Sequence, residues 1–291
     1  MYRIATDTSA NLPWSYIQDH QLIIVPFSYH IGDRDFSETP GAFDGHAYYQ
    51  AIRDGQRAST SQIPPQRYVD LFTPVLEGGE DILFLSMSSG ISGSCHSAQM
   101  AAEELLEAFP DRRVAVVDTL GASLGEGLQV MRAVELQASG TELDDVIRAI
   151  RADIPKVCQL LMVDDLMHLR RTGRVSGASA VVGSILGIKP ILKGSPAGQL
   201  VVSAKVRGRK QAIRAMAQRY QELAVDPGSH AVGIAHADCP ADAEALASLI
   251  REARPPKEIV TVCYEPVTGA HTGPDALALF FYGADDVRTK Y

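Results

Sequence analysis

Short β-rich runs alternate with helical spacing through the first half of the chain, and this alternation limits the possible folds more than any other feature. The runs "YRIATDT", "LIIVPFSYHI", "DILFLSMS" and "RVAVVDT" are separated by segments with helical periodicity and turn residues. Such alternation predicts an α/β layer on a mainly parallel sheet. Pro13 suits the first turn of a short helix in "PWSYIQDH", where its missing N–H would be unpaired anyway. The Gly32-Asp33 step suggests a turn and a returning edge segment. In "SAQMAAEELLEAF" the residues Ala98, Ala101, Ala102, Leu105 and Phe109 recur at helical spacing until Pro110 ends the run. In "TELDDVIRAIRADIPKV", Thr141 is a candidate N-cap, and Val146, Ile150 and Ile154 form one stripe closed by Pro155.

A domain boundary is placed at that proline. Residues 1–155 are expected to form an N-terminal, mainly parallel α/β sheet domain, and residues 156–291 a C-terminal α+β domain with its own sheet. The second half reads as a strand and short helix in "VCQLLMVDDLMHLRRTGR", then the strands "IKPILKG" and "GQLVVSAKVRG" joined by the turn "SPAG". An amphipathic helix, "RKQAIRAMAQRYQELA", follows, and "HAVGIAHAD", "ADAEALASLIREA", "EIVTVCYE" and "ALALFFYG" read as strand, helix, strand, strand. A length of 291 residues fits two domains, and 46% hydrophobic residues can supply a sizeable core.

Several function classes lose support at this stage. A net charge of −8 argues against non-specific nucleic-acid binding, which needs clustered cations to neutralise phosphates. Cys95, Cys158, Cys239 and Cys263 contain no Cys-x-x-Cys pair, so neither a zinc site nor a dithiol redox motif is signalled. The opening "MYRIATDTS" has no signal-peptide pattern and no apolar run is long enough to cross a bilayer, so a cytoplasmic, non-integral protein is expected.

Three hydroxyl-rich segments stand where strands meet helices, the usual place for sites in open α/β sheets: "TDTSANLP", "RASTSQIPPQ" and "SSGISGS". They fit neither nucleotide-phosphate motif. Ser59, Thr60, Ser61, Ser92 and Ser94 taken singly read as caps and turn residues, yet together they could converge on one anion. Ser92 misses the Gly-x-Ser-x-Gly nucleophile elbow by one residue, and His271 with Asp238 would complete the order of a hydrolase triad. Cys95 and His96 point about 100° apart on a helix and do not make a catalytic pair. His271 lies in "TGAHTGPDA", read as a glycine-rich loop that lets a ligand approach. Two basic stretches, with Arg170, Arg171 and Arg174, and with Lys205, Arg207, Arg209 and Lys210, read as solvated faces or as docking sites for an acidic or phosphorylated partner.

The segments "ATDTSANLP", "TSQIPP", "SSGISGSCHSA", "VVDTLGASLGEG", "VDDLMHLRRTGRVSG", "LGIKPIL", "KVRGRKQA" and "GAHTGPDALALFFYG" resemble, in order, the motifs of the DegV family. The resemblance implies a two-domain α/β fold with a long-chain fatty acid in a lipid pocket between the domains. It implies that Thr60, Ser92 and His271 hold the carboxylate, and that Arg207 serves the head-group end or engages a separate, ATP-binding fatty acid kinase that makes the acyl phosphate. Neither a catalytic residue nor a metal or other cofactor is implied for this chain. Three departures stand out: Ile63 after Thr-Ser-Gln, Ser94-Cys95-His96 after Gly93, and Asp275 after Gly273-Pro274. "AVVGSILGI" and "LIIVPF" could line the acyl tunnel or be ordinary core. The alternatives kept open are a serine hydrolase of esters or acyl conjugates using Ser92, and a sensor of a small acid.

Overall fold

In the computed structural model, which describes residues 1–37, 43–175 and 187–290, the first half carries two sheets. Its elements are β1 (Tyr2–Asp7), α1 (Trp14–Asp19), β2 (Ile23–Val25), β3 (Ser28–Ile31), β4 (Arg34–Ser37), α2 (Gly45–Arg53), β5 (Ala58–Ser61) and α3 (Pro65–Glu77). β6 (Asp81–Ser86), α4 (Ser94–Ala108), β7 (Val114–Asp118), α5 (Leu124–Ala138) and α6 (Leu143–Asp153) follow. The second half contains β8 (Val157–Met162), α7 (Met167–Arg171), β9 (Ile188–Gly194), β10 (Leu200–Arg207), α8 (Arg209–Leu223) and β11 (Ala231–His236). It ends with α9 (Pro240–Ala253), β12 (Glu258–Cys263), α10 (Pro266–Thr272), β13 (Leu277–Tyr282) and α11 (Val287–Lys290).

The strand order β2-β1-β6-β7 is wholly parallel, as the alternation of strands and helices predicts. β6 is buried on both faces, which is why its apolar residues run on without a polar alternation. The chain departs from expectation at "LIIVPFSYHI", which is two strands in two different sheets. Pro26 has no N–H to add to a ladder. β2 therefore ends at Val25, and β3 starts a small antiparallel sheet of order β4-β3-β5. Gly32, at φ +59°, turns β3 into β4 as a tight hairpin. The segment with Thr60 is accordingly not a loop on the parallel sheet but strand β5, with Thr60 opposite Tyr29.

The second half is built on a six-stranded mixed sheet, order β10-β9-β8-β13-β11-β12, in which only β11 and β12 run parallel. α8 and α9 cover one face, burying Ile213, Met216, Tyr220, Leu246 and Ile250 against Leu160, Ile234 and Phe281. The opposite face meets α5, whose Leu124, Leu128 and Val130 belong to a core cluster shared by Ile4 and Leu83 of the first half with Ala278 and Phe280 of the second. α5 is thus the layer between the parallel sheet and the six-stranded sheet. Its Gly127 is required, because a Cβ there would stand 2.6 Å from the Ala10 carbonyl oxygen.

Two helix starts differ from expectation. Pro13 stands at the N-cap of α1 and not within its first turn. α6 follows Glu142, and the Thr141 hydroxyl bonds Ser139 instead of capping the helix. The division at 155/156 is our proposal for the domain boundary, since it falls between α6 and β8, ahead of the first strand of the six-stranded sheet. Among the described residues no helix is long and apolar enough to cross a membrane.

Candidate ligand-binding site

A cavity of about 960 Å³, open mouth included, lies between the halves and takes its walls from both. Much of the wall is apolar: Phe27, Met87, Ile91 and Leu120 from the first half, and Leu160, Leu161, Leu169, Leu200, Val267 and Phe280 from the second. Thr60, Ser92 and His271 all line it. Thr60 Oγ1 is 2.9 Å from His271 Nε2, although 211 positions separate the two in the chain.

His271 is not on a glycine-rich loop, as the sequence suggested, but in the last turn of α10. That helix has clear end signals. Glu265 caps it by accepting from the Val267 and Thr268 N–H groups, Pro266 opens it, and Gly273 at φ +75° ends it. The glycine inside it, Gly269, serves packing and not ligand approach, because a Cβ there would lie 2.2 Å from the Tyr49 hydroxyl. That hydroxyl donates to the Tyr264 carbonyl at 2.9 Å.

Ser92 lies in the turn between β6 and α4. Its Oγ donates to Ser94 Oγ at 3.1 Å and accepts from the Ser94 N–H at 3.3 Å. Ser94 Oγ in turn accepts from the Ile63 N–H. Gln62 ties this turn to β5: its amide donates to the Gly93 carbonyl at 3.1 Å and to Ser97 Oγ at 2.7 Å. A Cβ at Gly93 would meet Gln62 Oε1 at 2.3 Å, so any larger residue there would have to displace this amide.

Burial, and then the nearby Arg174 guanidinium, push the His271 imidazole down to about 4, so it is neutral near pH 7. A neutral imidazole has one N–H. If Thr60 donates to Nε2, that hydrogen sits on Nδ1; if Nε2 donates to Thr60, the threonine hydrogen is released. Either way one hydrogen of the pair is left for a ligand. Among the described residues the buried His271 Nδ1 and Thr268 Oγ1 have no partner, and both residues line the cavity. Arg174, assigned from sequence to a surface patch, lines the cavity as well and adds a fixed positive charge.

Arg207 is placed apart from this group. It is the exposed last residue of β10 and does not line the cavity. Of its basic stretch, Arg209 is consumed internally by Asp164 and Asp242, while Lys205, Arg207 and Lys210 are exposed.

The hydrolase arrangement is not assembled. Ser92 is engaged with Ser94, His271 with Thr60, and Asp238 pairs with Arg53 and His46. Cys95 is buried with its thiol pushed up to about 11 by burial, so it is no thiolate either. Asp275 also finds a rationale: it adopts φ +62°, where a glycine is usual, and its carboxylate meets Arg53 at 2.9 Å. Arg53 thereby bridges Asp275 and Asp238. Among the described residues no group of three or more His, Cys, Asp or Glu side chains could hold a metal ion.

Sequence reasoning missed the buried acids behind the site. Glu126 Oε1 lies 2.7 Å from Thr6 Oγ1, which lies 2.9 Å from the Leu85 carbonyl. Glu126 Oε2 lies 2.7 Å from Ser9 Oγ, which is 2.5 Å from Asp7 Oδ1. The Leu85 carbonyl can only accept, so it takes the Thr6 hydrogen, and the Thr6–Glu126 contact needs a proton from Glu126. Burial raises Glu126 well above the usual carboxylate range and Asp7 to about 6. Asp7 and Glu265, the latter raised to about 7 by burial, line a second cavity of about 730 Å³ that shares the wall residues Phe27 and Val267 with the first. Of the expected tunnel segments, Ile24 and Phe27 line this second cavity, while residues 180–186 of "AVVGSILGI" lie outside the described residues.

A family model described as "Uncharacterised protein, DegV family" matches residues 1–284. A DegV domain-containing protein of Clostridium perfringens is 37% identical over 281 residues, covering 96% of this chain and 97% of that protein. Among solved structures, a DegV family protein from Thermus thermophilus described by its fatty acid binding superposes with a TM-score of 0.88 at 26% identity, covering 97% of this chain and 99% of that one. A fatty acid binding DegV family protein from Streptococcus agalactiae gives a TM-score of 0.85 at 28% identity, with 98% and 99% covered.

Proposed function

The chain belongs to the DegV family, and from that premise we propose that it binds a long-chain fatty acid, holding the carboxylate with Thr60, Ser92 and His271 and burying the acyl chain along the apolar walls. The observation that carries this reading is the Thr60–His271 pair, a polar point with a hydrogen to give, set in an otherwise largely apolar cavity between the halves. The relatives described as fatty acid binding support it.

The energetics agree. A carboxylate leaves water only where hydrogen bonds replace its hydration, and two hydroxyls, an imidazole and the Arg174 charge offer them. Each buried methylene contributes about 0.8 kcal/mol, so the tail supplies most of the affinity. A short acid would leave the apolar walls uncovered, which favours the lipid over the small-acid reading. Ser92 holds and does not attack, because its hydrogen-bond partners are the hydroxyl and backbone N–H of Ser94, not a base.

In the finer reading the protein is not itself an enzyme. It presents the carboxylate to a separate ATP-dependent fatty acid kinase for acyl phosphate formation in the cytoplasm, and Arg207, exposed at the end of β10, contributes to that docking.

Protein expressed in bacteria and then denatured is expected to release a fatty acid detectable by mass spectrometry. Protein that is always empty and binds no acyl chain on titration would overturn the proposal. Labelling of Ser92 by a fluorophosphonate would instead revive the hydrolase. For the finer reading, Arg207→Ala is expected to lower acyl phosphate formation more than fatty acid binding, and equal losses would refute the docking role.

A further inference from the structure

A third concave feature, a cleft of about 1070 Å³ with its mouth included, sits on three elements that also line the first cavity, two of which carry Thr60 and His271. β5 gives Thr60 to the cavity and Ala58 to the cleft; α10 gives His271 to the cavity and Ala270 to the cleft; α7 gives Leu169 to the cavity and His168 and Arg171 to the cleft. Ala58 and Thr60 are two apart on one strand and so face the same side, about 7 Å from each other. The carboxylate site and the cleft are therefore adjacent.

The cleft is built for an anion. Arg57, Arg171, His168, Gln56 and Thr172 line it, and no carboxylate does, in a chain of net charge −8. Among the described residues neither Arg57 nor Arg171 pairs with an acid, and Arg171 contacts His168 instead. The nearest acids along the chain are Asp54, which accepts from Gln50, and Asp165, which accepts from the Met167 N–H; Asp165 also acts on His168, but more weakly than burial and Arg171. Arg171 Nη2 stands 3.4 Å from His168 Nδ1, and the imidazole is seated against Gly273, where a Cβ would lie 2.7 Å from the ring. Burial and then Arg171 hold this histidine below its ordinary value, so its ring accepts at Nδ1 and presents an N–H at Nε2. Two guanidinium forks beside an imidazole and an amide match the several oxygens of a phosphate better than a single-point anion.

We propose that this cleft is a phosphate-binding site beside the fatty acid carboxylate, with Arg57 and Arg171 as its principal donors. The choice of phosphate over other anions rests on the reading above, in which that carboxylate becomes phosphorylated.

The test is a titration of the full chain with inorganic phosphate, followed by calorimetry or phosphorus NMR, against sodium chloride at equal ionic strength. Saturable binding to phosphate is expected, weakened roughly tenfold by either Arg57→Gln or Arg171→Gln. Fatty acid affinity should stay unchanged in both variants, which are surface substitutions. Response to chloride equal to that to phosphate, or phosphate binding unaltered in both variants, would overturn the proposal. Saturable, arginine-dependent phosphate binding by a protein that takes no fatty acid would support the cleft and remove the lipid reading instead. A long-chain acyl phosphonate separates the two sources of the group. Loading with it should block inorganic phosphate if the phosphoryl group on the ligand occupies the cleft, and leave phosphate binding intact if the cleft takes a free phosphate.

Discussion

Glu126→Gln isolates the claim that a protonated acid sits between the two sheets. Glutamine can replace the neutral acid almost atom for atom: its amide donates to Thr6 Oγ1, as the carboxyl O–H does, and its carbonyl takes the place of Oε2 beside Ser9. The sign of the pH effect follows from the raised value of the folded state. In the unfolded chain Glu126 loses its proton above its ordinary value of 4.5, whereas in the fold it keeps it. The wild type therefore has the full contribution of this group below that value and loses it as pH rises, by about 1.4 kcal/mol per pH unit. The glutamine variant is exempt from this loss, which continues for as long as the folded carboxyl keeps its proton. Urea unfolding of both proteins at a series of pH values should show the variant gaining on the wild type as the pH rises above 4.5. Parallel profiles would mean that Glu126 is ionised in the fold and that the proton count is wrong.

Thr60→Ala and Ser92→Ala should each weaken fatty acid retention by about 1.5 to 3 kcal/mol, the value of one charge-assisted hydrogen bond, in a fluorescence competition assay. Unchanged affinity in both would remove these hydroxyls from the site. Gly269→Ala should lower stability by about 1 to 3 kcal/mol through the clash with the Tyr49 hydroxyl, and Tyr49→Phe should recover part of that loss in calorimetry. Asp275→Gly should be close to neutral alone, since relief of the left-handed backbone offsets the lost Arg53 pair, but stabilising by about 1 kcal/mol in an Arg53→Ala background.

The parallel sheet and the helices α4, α8 and α9 were legible because each has a one-sided apolar pattern or an uninterrupted buried run. α5 was not, for a physical reason. It is enclosed by both sheets, so Leu124 to Met131 are all buried and leave no polar stripe, while Gly125 and Gly127 lower its local helix propensity. α10 was hidden by Gly269, although Glu265, Pro266 and Gly273 mark its ends; the need to clear Tyr49 comes from another part of the chain. Thr60, Ser92 and His271 could be picked out by motif, and the fold brings all three to one cavity. The contribution of Arg174 could not be read, because a surface arginine and one facing a cavity have the same sequence context. The proton held by Glu126 depends on contacts with residues about 120 positions away.

The amide of Gln62 gives the cavity a property that no single donor has. By fastening the strand that bears one hydroxyl to the turn that bears the other, it makes the two a rigid unit whose spacing is settled when the chain folds. In the proposed reading, a head group would meet two hydroxyls already held at a set spacing, and only the Ser92 hydrogen would have to turn away from Ser94.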